Sequence, residues 1–215
     1  NFRDVFSRVV YGARTSLSIG FAAIGFAILV GAIIGAIAGY VGGWVDNILM
    51  RLMDVILAFP SLLLAIAIVT AAGSSLVNAL LAIGIVSVPV YARVVRSSVL
   101  ATKESDYITA SRALGESGTG ILVRRILPNS LTPLVVQGTL GIGGAVLEIA
   151  ALTYVGATGS LSVPEWGSMI SLESQQLFNA PHVILAPGLA ITLTVLAFNL
   201  LGDGLRDALD PRLNR

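Results

Sequence analysis

The residues that could do chemistry in this sequence are few, and most of them lie in one charged stretch. The segment from about Arg93 to Asn129 holds six of the thirteen Lys and Arg residues, and apolar sequence flanks it on both sides. Charged side chains are costly inside lipid, so such a stretch belongs in water. We expect it to form the main surface of the chain on one side of a membrane, where a soluble partner could bind.

Groups for catalysis or metal binding are scarce elsewhere. The chain has no Cys, which excludes disulfides and a thiol nucleophile, and His182 is the only His, which excludes a multi-His metal site. No phosphate-binding Gly-Lys-Ser or Gly-Lys-Thr motif is present, so the chain is not itself an ATPase. The net charge of +1 gives no indication of a nucleic-acid partner. A membrane-embedded enzyme would need clustered catalytic groups, and the sequence shows none.

The composition predicts an all-α polytopic integral membrane protein. Of the 215 residues, 55% are hydrophobic and 12% are charged, whereas soluble domains carry about 25% charged residues. A span needs roughly 20 apolar residues, and a helix satisfies its own backbone groups in lipid. Five spans are expected in this fragment, at about residues 16–40, 45–72, 76–95, 131–155 and 183–201.

The basic residues predict the orientation of these spans. Residues 1–15 hold three Arg, whereas the charged stretch and the C-terminal tail together hold nine Lys and Arg. The positive-inside rule therefore places the loop at about 96–130 and the C-terminus in the cytoplasm. Residues 1–15 and the loop at about 156–182 then lie outside. The first residue is Asn rather than Met, and we expect one further span before it, for six in all.

Ionisable residues inside or beside the spans are candidates for a pathway through the membrane or a gate. Glu148 lies within the fourth span, where it could face such a pathway or bind an amine, or bond to a neighbouring helix as a structural acid. Asp46, Arg51 and Asp54 begin the second span. Arg51 and Asp54 are three residues apart and can share a helix face. The group marks the cytoplasmic boundary or forms a gate network.

Two other patterns concern helix packing. Gly31, Gly35 and Gly39 form a face of small residues on the first span, which permits the close approach of another helix. That helix could come from this chain or from a partner subunit. Pro60 and Pro89 lie inside predicted spans and should kink them.

The charged stretch is predicted to begin with a short helix. Asp106 is a good N-cap, the residues Tyr107–Leu114 are adequate helix formers, and Gly115 is a natural stop.

A second short helix should follow Gly115. It is expected to start near Ser117 or Thr119 and to run to Leu127, where Pro128 breaks it. Two short helices joined by a Gly would make a compact knob. The simpler alternative is a solvated connector that carries the positive-inside charges.

The same stretch carries a family signature. Thr109-Ala110-Ser111, three residues, Gly115, nine residues and then Arg125-Ile126-Leu127-Pro128 resembles the EAA loop of ABC importer permeases. In that family the pattern is Glu-Ala-Ala, three residues, Gly, nine residues, Ile, any residue and Leu-Pro. Four positions match in register: Ala110, Gly115, Leu127 and Pro128. Three positions depart from it, with Thr109, Ser111 and Arg125 in place of Glu, Ala and Ile.

Further segments resemble permeases of the dipeptide and oligopeptide (DppC/OppC) type, so the resemblance covers essentially the whole chain. They are Arg3–Arg8 with Tyr11–Arg14, Pro164–Gly167 in the external loop, and Ala197–Asp207 with Leu209–Arg212. The charged residues of the last segments would form a structured cytoplasmic end: Asp203, Arg206, Asp207 and Asp210.

The resemblance implies a transport complex in the bacterial inner membrane, in which this chain has several partners. These are a homologous second permease, two cytoplasmic ATPase subunits that bind ATP and Mg, an external substrate-binding protein and membrane lipid. This chain would hold no cofactor. Glu165 and Trp166 could contact the binding protein, although Trp166 also suits an interfacial anchor. The residues expected to dock on the ATPase are Tyr107, Thr109, Ala110, Ser111, Arg112, Leu114, Gly115, Leu127 and Pro128.

The expected function is ATP-driven import of di- or oligopeptides by alternating access. Related permeases carry nickel, glutathione or another small solute, so these remain alternatives. A secondary transporter or channel would couple to ions through charges within the membrane, and the spans offer little beyond Glu148.

Overall fold

The computed structural model describes residues 4–159 and 164–209, and within these ranges the chain is helical with no strand. The helices in chain order are α1 (Val5–Val41), α2 (Gly43–Leu57), α3 (Ser61–Ala72), α4 (Leu76–Lys103), α5 (Asp106–Ala113), α6 (Gly118–Ile121), α7 (Leu127–Tyr154), α8 (Trp166–Glu173) and α9 (Pro181–Leu209). A π-helical turn at Leu122–Ile126 joins α6 to α7, and a 3-10 turn at Ser174–Gln176 follows α8.

The expected all-α membrane architecture is confirmed. Among the described residues, α1, α4, α9 and the unbroken stretch Gly118–Tyr154 are each long and apolar enough to cross a membrane. A fifth candidate arises if the broken pair α2 and α3 counts as one span. The helices extend beyond the apolar limits expected from the sequence, because a helix continues past the lipid boundary wherever its caps allow. The limits of the spans themselves stay a prediction.

The segment before the first predicted span is already helical. α1 starts at Val5, since the Asp4 carboxylate accepts hydrogen bonds from the amides of Phe6 at 3.2 Å and Ser7 at 3.0 Å and from the Ser7 hydroxyl. This cap satisfies backbone donors that a helix start leaves open. Hydrogen bonding to Ser7 holds the pKa of Asp4 below its usual value. The Asp-x-x-Ser pattern of Asp4 and Ser7 was the sequence signal for this helix start. Arg3 lies outside the described residues.

The second predicted span is broken rather than kinked at Pro60. α2 ends at Leu57, and Pro60 becomes the N-cap position of α3. Proline has no amide hydrogen, and it disfavours helical geometry at the preceding residue, so the chain leaves the helix before it resumes at Ser61. Pro89, by contrast, lies inside the continuous helix α4.

Residue contacts divide the chain into two compact units, of which the first comprises Asn1–Phe26, Pro60–Val86 and Thr139–Gly202. Its core gathers Trp166 and Met169 of α8, Ile191 of α9, and Val146 and Ala150 of α7, with side chains of α1 packed against them. Phe21 and Phe198 meet edge to face, with ring centroids 5.6 Å apart. α8 is therefore held between three long helices.

The second unit comprises Ala27–Phe59, Ser87–Gly138 and Asp203–Arg215. In it the glycine face of α1 packs on α4 of the same chain, which settles the alternative left open by the sequence. A Cβ built on Gly35 would lie 2.2 Å from the Ala92 carbonyl oxygen, and one on Gly31 would lie 2.9 Å from the Val88 carbonyl oxygen. The two backbones are thus close enough that only Gly fits.

We predict that Gly35→Ala destabilises the protein, because the added methyl group meets rigid backbone and the helices must separate. Overpacking of this kind costs about 1–3 kcal/mol. The measurement is the thermal unfolding midpoint of the purified protein in detergent. Gly25→Ala is the matched control on the same helix, since a Cβ there has no atom within 4 Å. Equal midpoints for the two variants would contradict the close contact.

Candidate functional site

The helix expected in the charged stretch is present as α5, within one residue of the predicted limits. Ser105, rather than Asp106, occupies the N-cap position, and Asp106 is the first helical residue. Ile108 and Ser111 are the buried residues of α5, and the Ser111 hydroxyl donates to the Tyr107 carbonyl oxygen at 2.9 Å. These two side chains fix the face by which the helix rests on the protein.

α5 ends in a glycine cap. Gly115 has a φ of 82°, and no atom lies within 4 Å of a Cβ built on it. Its amide donates to the Arg112 carbonyl at 3.0 Å, and the Glu116 amide donates to the Ser111 carbonyl at 3.1 Å. This pair of bonds is the Schellman arrangement, which favours Gly because the left-handed conformation is strained for other residues.

The remaining surface of α5 is open. Leu114 is 88% exposed at the tip of the helix, an unusual position for a large apolar side chain. Of the nine residues predicted to contact an ATPase, Ser111 is buried and Leu127 is half-buried. The other seven are exposed: Tyr107, Thr109, Ala110, Arg112, Leu114, Gly115 and Pro128.

The second short helix begins as expected but does not end at Pro128. Ser117 caps α6 by accepting a hydrogen bond from the Gly120 amide at 3.2 Å. The helix then continues through the π turn into α7, which runs past Pro128 and Pro133 to Tyr154. The prediction that Pro128 breaks the helix was wrong.

The π turn explains how Pro128 is tolerated. In a regular α-helix a proline ring clashes with the carbonyl four residues earlier, and an i to i+5 turn opens that spacing. Here the Leu127 amide bonds to the Leu122 carbonyl. Two further carbonyls of the turn accept hydrogen bonds from side chains. The Arg125 carbonyl accepts from the Asn129 side-chain amide at 2.7 Å, and the Ile126 carbonyl accepts from the Ser130 hydroxyl at 3.1 Å.

Side chains tie the two arms of this element together. The Asn129 amide group donates to the Tyr107 hydroxyl at 3.1 Å, and Arg125 pairs with Glu116 at 2.9 Å. Sequence reasoning missed Asn129 and Glu116, because the bonds depend on the course of the chain around Gly115. We call residues 106–129 the knob.

The end of α4, just before the knob, is tied to the end of α1. Lys103 donates to the Tyr40 carbonyl oxygen at 2.9 Å, and its ammonium lies 5.9 Å from the centre of the Tyr40 ring. The hydroxyl of Tyr40 in turn abuts Gly118, where a Cβ would lie 2.8 Å from it. α1 and α4 therefore meet the knob through one aromatic side chain.

The acids at the start of the predicted second span pair with α4 rather than with Arg51. Asp46 accepts two hydrogen bonds from Arg96, at 2.5 and 2.6 Å, and Asp54 pairs with Arg93 at 2.5 Å. The bidentate bond is the stronger kind, and Asp46 is buried whereas Asp54 is half exposed. Arg51, Asp46 and Asp54 line a common cavity of about 400 Å³.

Glu148 is partly buried within α7. Its carboxylate accepts a hydrogen bond from the Ser61 hydroxyl at 3.0 Å, at the first residue of α3. The acid thus has a neighbouring helix as its partner. Its hydrogen-bonding capacity exceeds this single bond, because a carboxylate has about four acceptor sites.

Glu165 and Trp166 do not form the exposed contact expected of them. Glu165 is fully buried and Trp166 is 3% exposed. The Glu165 carboxylate accepts from the Ser168 amide at 2.8 Å and from the Ser16 hydroxyl at 3.3 Å, while the Trp166 indole donates to the Val9 carbonyl at 2.9 Å. These bonds fasten the start of α8 to α1.

Burial also changes the acidity of Glu165. Desolvation raises the pKa of its carboxyl above the ordinary value of 4.5, against the opposing effect of hydrogen bonds from Gly167, Ser168, Ser16 and Thr153. Within the described parts of the chain, no group of three or more His, Asp or Glu residues is arranged to hold a metal ion.

Comparison with known proteins gives a consistent family. The family described as "Binding-protein-dependent transport system inner membrane component" matches residues 31–215. The dipeptide transport system permease protein DppC of Alkalihalophilus pseudofirmus is 52% identical over 98% of this chain and 69% of its own length. The glutathione transport system permease protein GsiD of Escherichia coli O157:H7 is 46% identical over 98% of this chain and 70% of its own.

Solved structures agree on the fold. An inward-facing form of the MetNI methionine ABC transporter matches with a TM-score of 0.77 at 19% identity, covering 94% of this chain and 96% of that one. An amino acid ABC transporter solved with histidines matches with a TM-score of 0.65 at 16% identity, covering 99% and 100%.

We predict that Glu165→Gln becomes more stable relative to the unchanged protein as the pH rises. The pKa of Glu165 is raised on folding, so the carboxyl stabilises the fold when protonated and loses that contribution as pH rises through its folded pKa. The neutral amide of Gln has no charge to bury. The measurement is the difference in unfolding midpoint between about pH 5 and about pH 8.

Glu104→Gln is the control, since Glu104 is already exposed to solvent. A Glu165→Gln difference that stays constant over this pH range would contradict the burial penalty.

Proposed function

This chain belongs to the family of binding-protein-dependent transport system inner membrane components, and we propose that it moves di- or oligopeptides across the bacterial inner membrane by alternating access. It is a permease subunit of an ABC importer and not an enzyme. ATP and Mg would be bound by a separate ATPase subunit. The observation that carries the proposal is the knob, whose helix α5 presents an open face at the position of the family's EAA loop.

The exposed face of α5 suits a groove on an ATPase. Ala110 presents a small side chain, Leu114 an apolar one and Arg112 a charge, while Ile108 and Ser111 hold the helix from behind. Apolar contact area with a polar margin is the usual composition of a protein interface. The excess of Lys and Arg in this stretch supports a cytoplasmic location, which is where an ATPase would meet it.

The bonds around the knob supply a route for displacement. The Lys103 bond to Tyr40 ties the end of α4 to α1, and the Arg93 and Arg96 ion pairs tie α4 to α2. A helix braced at several points moves as a body, whereas a free loop would absorb the movement. We propose that Asp46, Arg51 and Asp54 belong to the moving gate region, with the Asp46 pair as its firmest link.

The cargo is proposed from the relatives and from Glu148. The DppC relative is a dipeptide permease and the GsiD relative a glutathione permease. Glutathione is itself a peptide, and the GsiD relative is 46% identical to this chain. Glutathione is therefore the second candidate cargo. Nickel or another small solute remains an alternative within the same machinery. Glu148 would meet the amine of a passing peptide through its unused acceptor sites.

The partners proposed are a homologous second permease, two cytoplasmic ATPase subunits and an external binding protein. The family description requires a binding protein, and a permease without its own nucleotide site requires a separate ATPase. We do not include Glu165 and Trp166 among the binding-protein contacts of this proposal, because both are buried.

We predict that Ala110→Trp uncouples ATP hydrolysis from uptake while the permease stays folded in the membrane. A bulky side chain on the docking face should weaken the ATPase contact by about 2 kcal/mol or more, which is about 30-fold in affinity. Gly115→Pro should act in the same way, because proline cannot adopt the positive φ of the cap. The measurements are ATP-driven peptide uptake into reconstituted vesicles and co-purification of the ATPase.

Ala71→Trp is the matched control, an exposed alanine in α3 of the other compact unit. If Ala110→Trp transported as well as this control, the docking role of α5 would be wrong. Uptake that did not depend on ATP would overturn the proposed function altogether.

We predict that Glu148→Gln raises the substrate concentration needed for half-maximal uptake without loss of assembly, because it removes a charge from the pathway. Ser61→Ala deletes only the structural hydrogen bond and should have a smaller effect on that concentration. Identical uptake kinetics in Glu148→Gln and the unchanged protein would assign Glu148 to structure.

Asp46→Asn weakens the ion pair with Arg96 and should instead lower the number of peptides moved per ATP.

A further inference from the structure

A second charged cavity lies in the first unit, and neither Glu148 nor a residue of the knob lines it. It has a volume of about 560 Å³, which is within the range of about 300–1,000 Å³ typical of small-molecule sites. Three elements line it: the first turn of α1, the end of α8 with the 3-10 turn, and the start of α9. The polar lining residues are Arg8, Glu173, Gln176 and His182, and the apolar ones are Val5, Leu172 and Val183.

Arg8 and Glu173 face this cavity as an incomplete ion pair. Their side chains are only 15% and 18% exposed, yet their closest nitrogen and oxygen atoms are 3.8 Å apart, which is too far for a hydrogen bond. Within the described residues, the guanidinium of Arg8 donates no hydrogen bond and the carboxylate of Glu173 accepts none. Charges that are largely buried need hydrogen-bonding partners to offset their desolvation.

The unused bonding capacity of the two groups is large. A guanidinium has five donors and a carboxylate about four acceptor sites, and the 3.8 Å contact satisfies few of them. A guanidinium prefers a carboxylate as its planar, two-bond partner. A carboxylate in the same cavity suits an ammonium group. Arg8 and Glu173 would thus be satisfied by a carboxylate and an ammonium group, respectively. One zwitterion carries both groups.

We propose that this cavity binds a small zwitterionic ligand with a free amino and a free carboxylate group, namely an amino acid or a short peptide. The ligand carboxylate binds Arg8 and its ammonium binds Glu173. The side chain of Gln176 offers further hydrogen bonds, while Val5, Leu172 and Val183 provide apolar surface for the ligand's side chains. Because the contacts are to the ends of the ligand, the site tolerates different side chains.

This inference deepens the proposed function and rests on it, since it names the chemical group by which the permease would recognise peptide cargo. Residues before the first span and between the fourth and fifth spans lie on the external side in the orientation inferred from the basic residues. The cavity would then receive the cargo before it enters the pathway.

The test compares free and blocked dipeptides on the importer complex in lipid nanodiscs. Binding is measured by equilibrium dialysis with L-alanyl-L-alanine, its N-acetyl derivative and its C-terminal amide. Each blocked peptide should bind about tenfold more weakly or worse, because each loses a charge-assisted hydrogen bond. Equal binding of the three peptides, or no binding of any, would overturn the proposal, and this comparison needs no variant protein.

Two variants then assign the charges. Glu173→Gln should bind the free and N-acetylated dipeptides alike while still discriminating against the amide. Arg8→Gln should bind the free and C-amidated dipeptides alike while still discriminating against the N-acetylated one. Arg14→Gln is the matched control, an exposed arginine of the same helix outside the cavity, and it should keep both preferences.

Preferences that survive Arg8→Gln and Glu173→Gln would place the zwitterion elsewhere and refute the site. ATP-driven uptake of dialanine measured in parallel separates the two proposals. Uptake without any preference for free termini refutes the cavity alone, whereas absence of ATP-driven uptake refutes the proposed function.

Discussion

The close contact between α1 and α4 is the constraint on which the second unit depends. In lipid there is little hydrophobic force to hold two helices together, so they need close packing and hydrogen bonds. Gly31, Gly35 and Gly39 supply the packing by bringing backbone against backbone. Arg96 follows directly along the same interface, beside Gly39, and from there its side chain reaches Asp46. The ion pair and the Lys103 bond to Tyr40 therefore lie along a contact that one methyl group would disturb.

The first unit achieves order by a different means. A short helix, α8, lies among three long ones, and its start is held by buried polar bonds rather than by glycines alone. Glu165 serves as cap and as partner of Ser16, while Trp166 reaches the Val9 carbonyl. Such a buried network is specific because every member must be satisfied. It fixes the start of α8, the helix that ends at Glu173 beside the charged cavity.

The sequence was sufficient for the architecture and for helix α5 of the knob, because both depend on local signals. Apolar run length predicts the long helices, and Gly115 predicts the end of α5 through its tolerance of positive φ. The prediction that Pro128 breaks the helix was wrong because it considered the proline alone. The π turn that accommodates Pro128 forms only in the folded helix, so no sequence signal indicated it. The Arg96 and Asp46 pair, fifty residues apart, and the burial of Glu165 depend on tertiary contacts. A pair such as acidic Glu165 and amphipathic Trp166 in a predicted loop looks exposed until the neighbouring helices are in place.

The positions of the two tryptophans have a practical consequence for spectroscopy. The chain has only two, and the folding places them in opposite environments and in different units. Trp166 is enclosed in the core of the first unit, whereas Trp44 is 77% exposed at the start of α2 in the second. Indole emission depends on the polarity of its surroundings, and a soluble quencher reaches only an exposed ring. The protein therefore carries a separate optical reporter in each unit, without any added label.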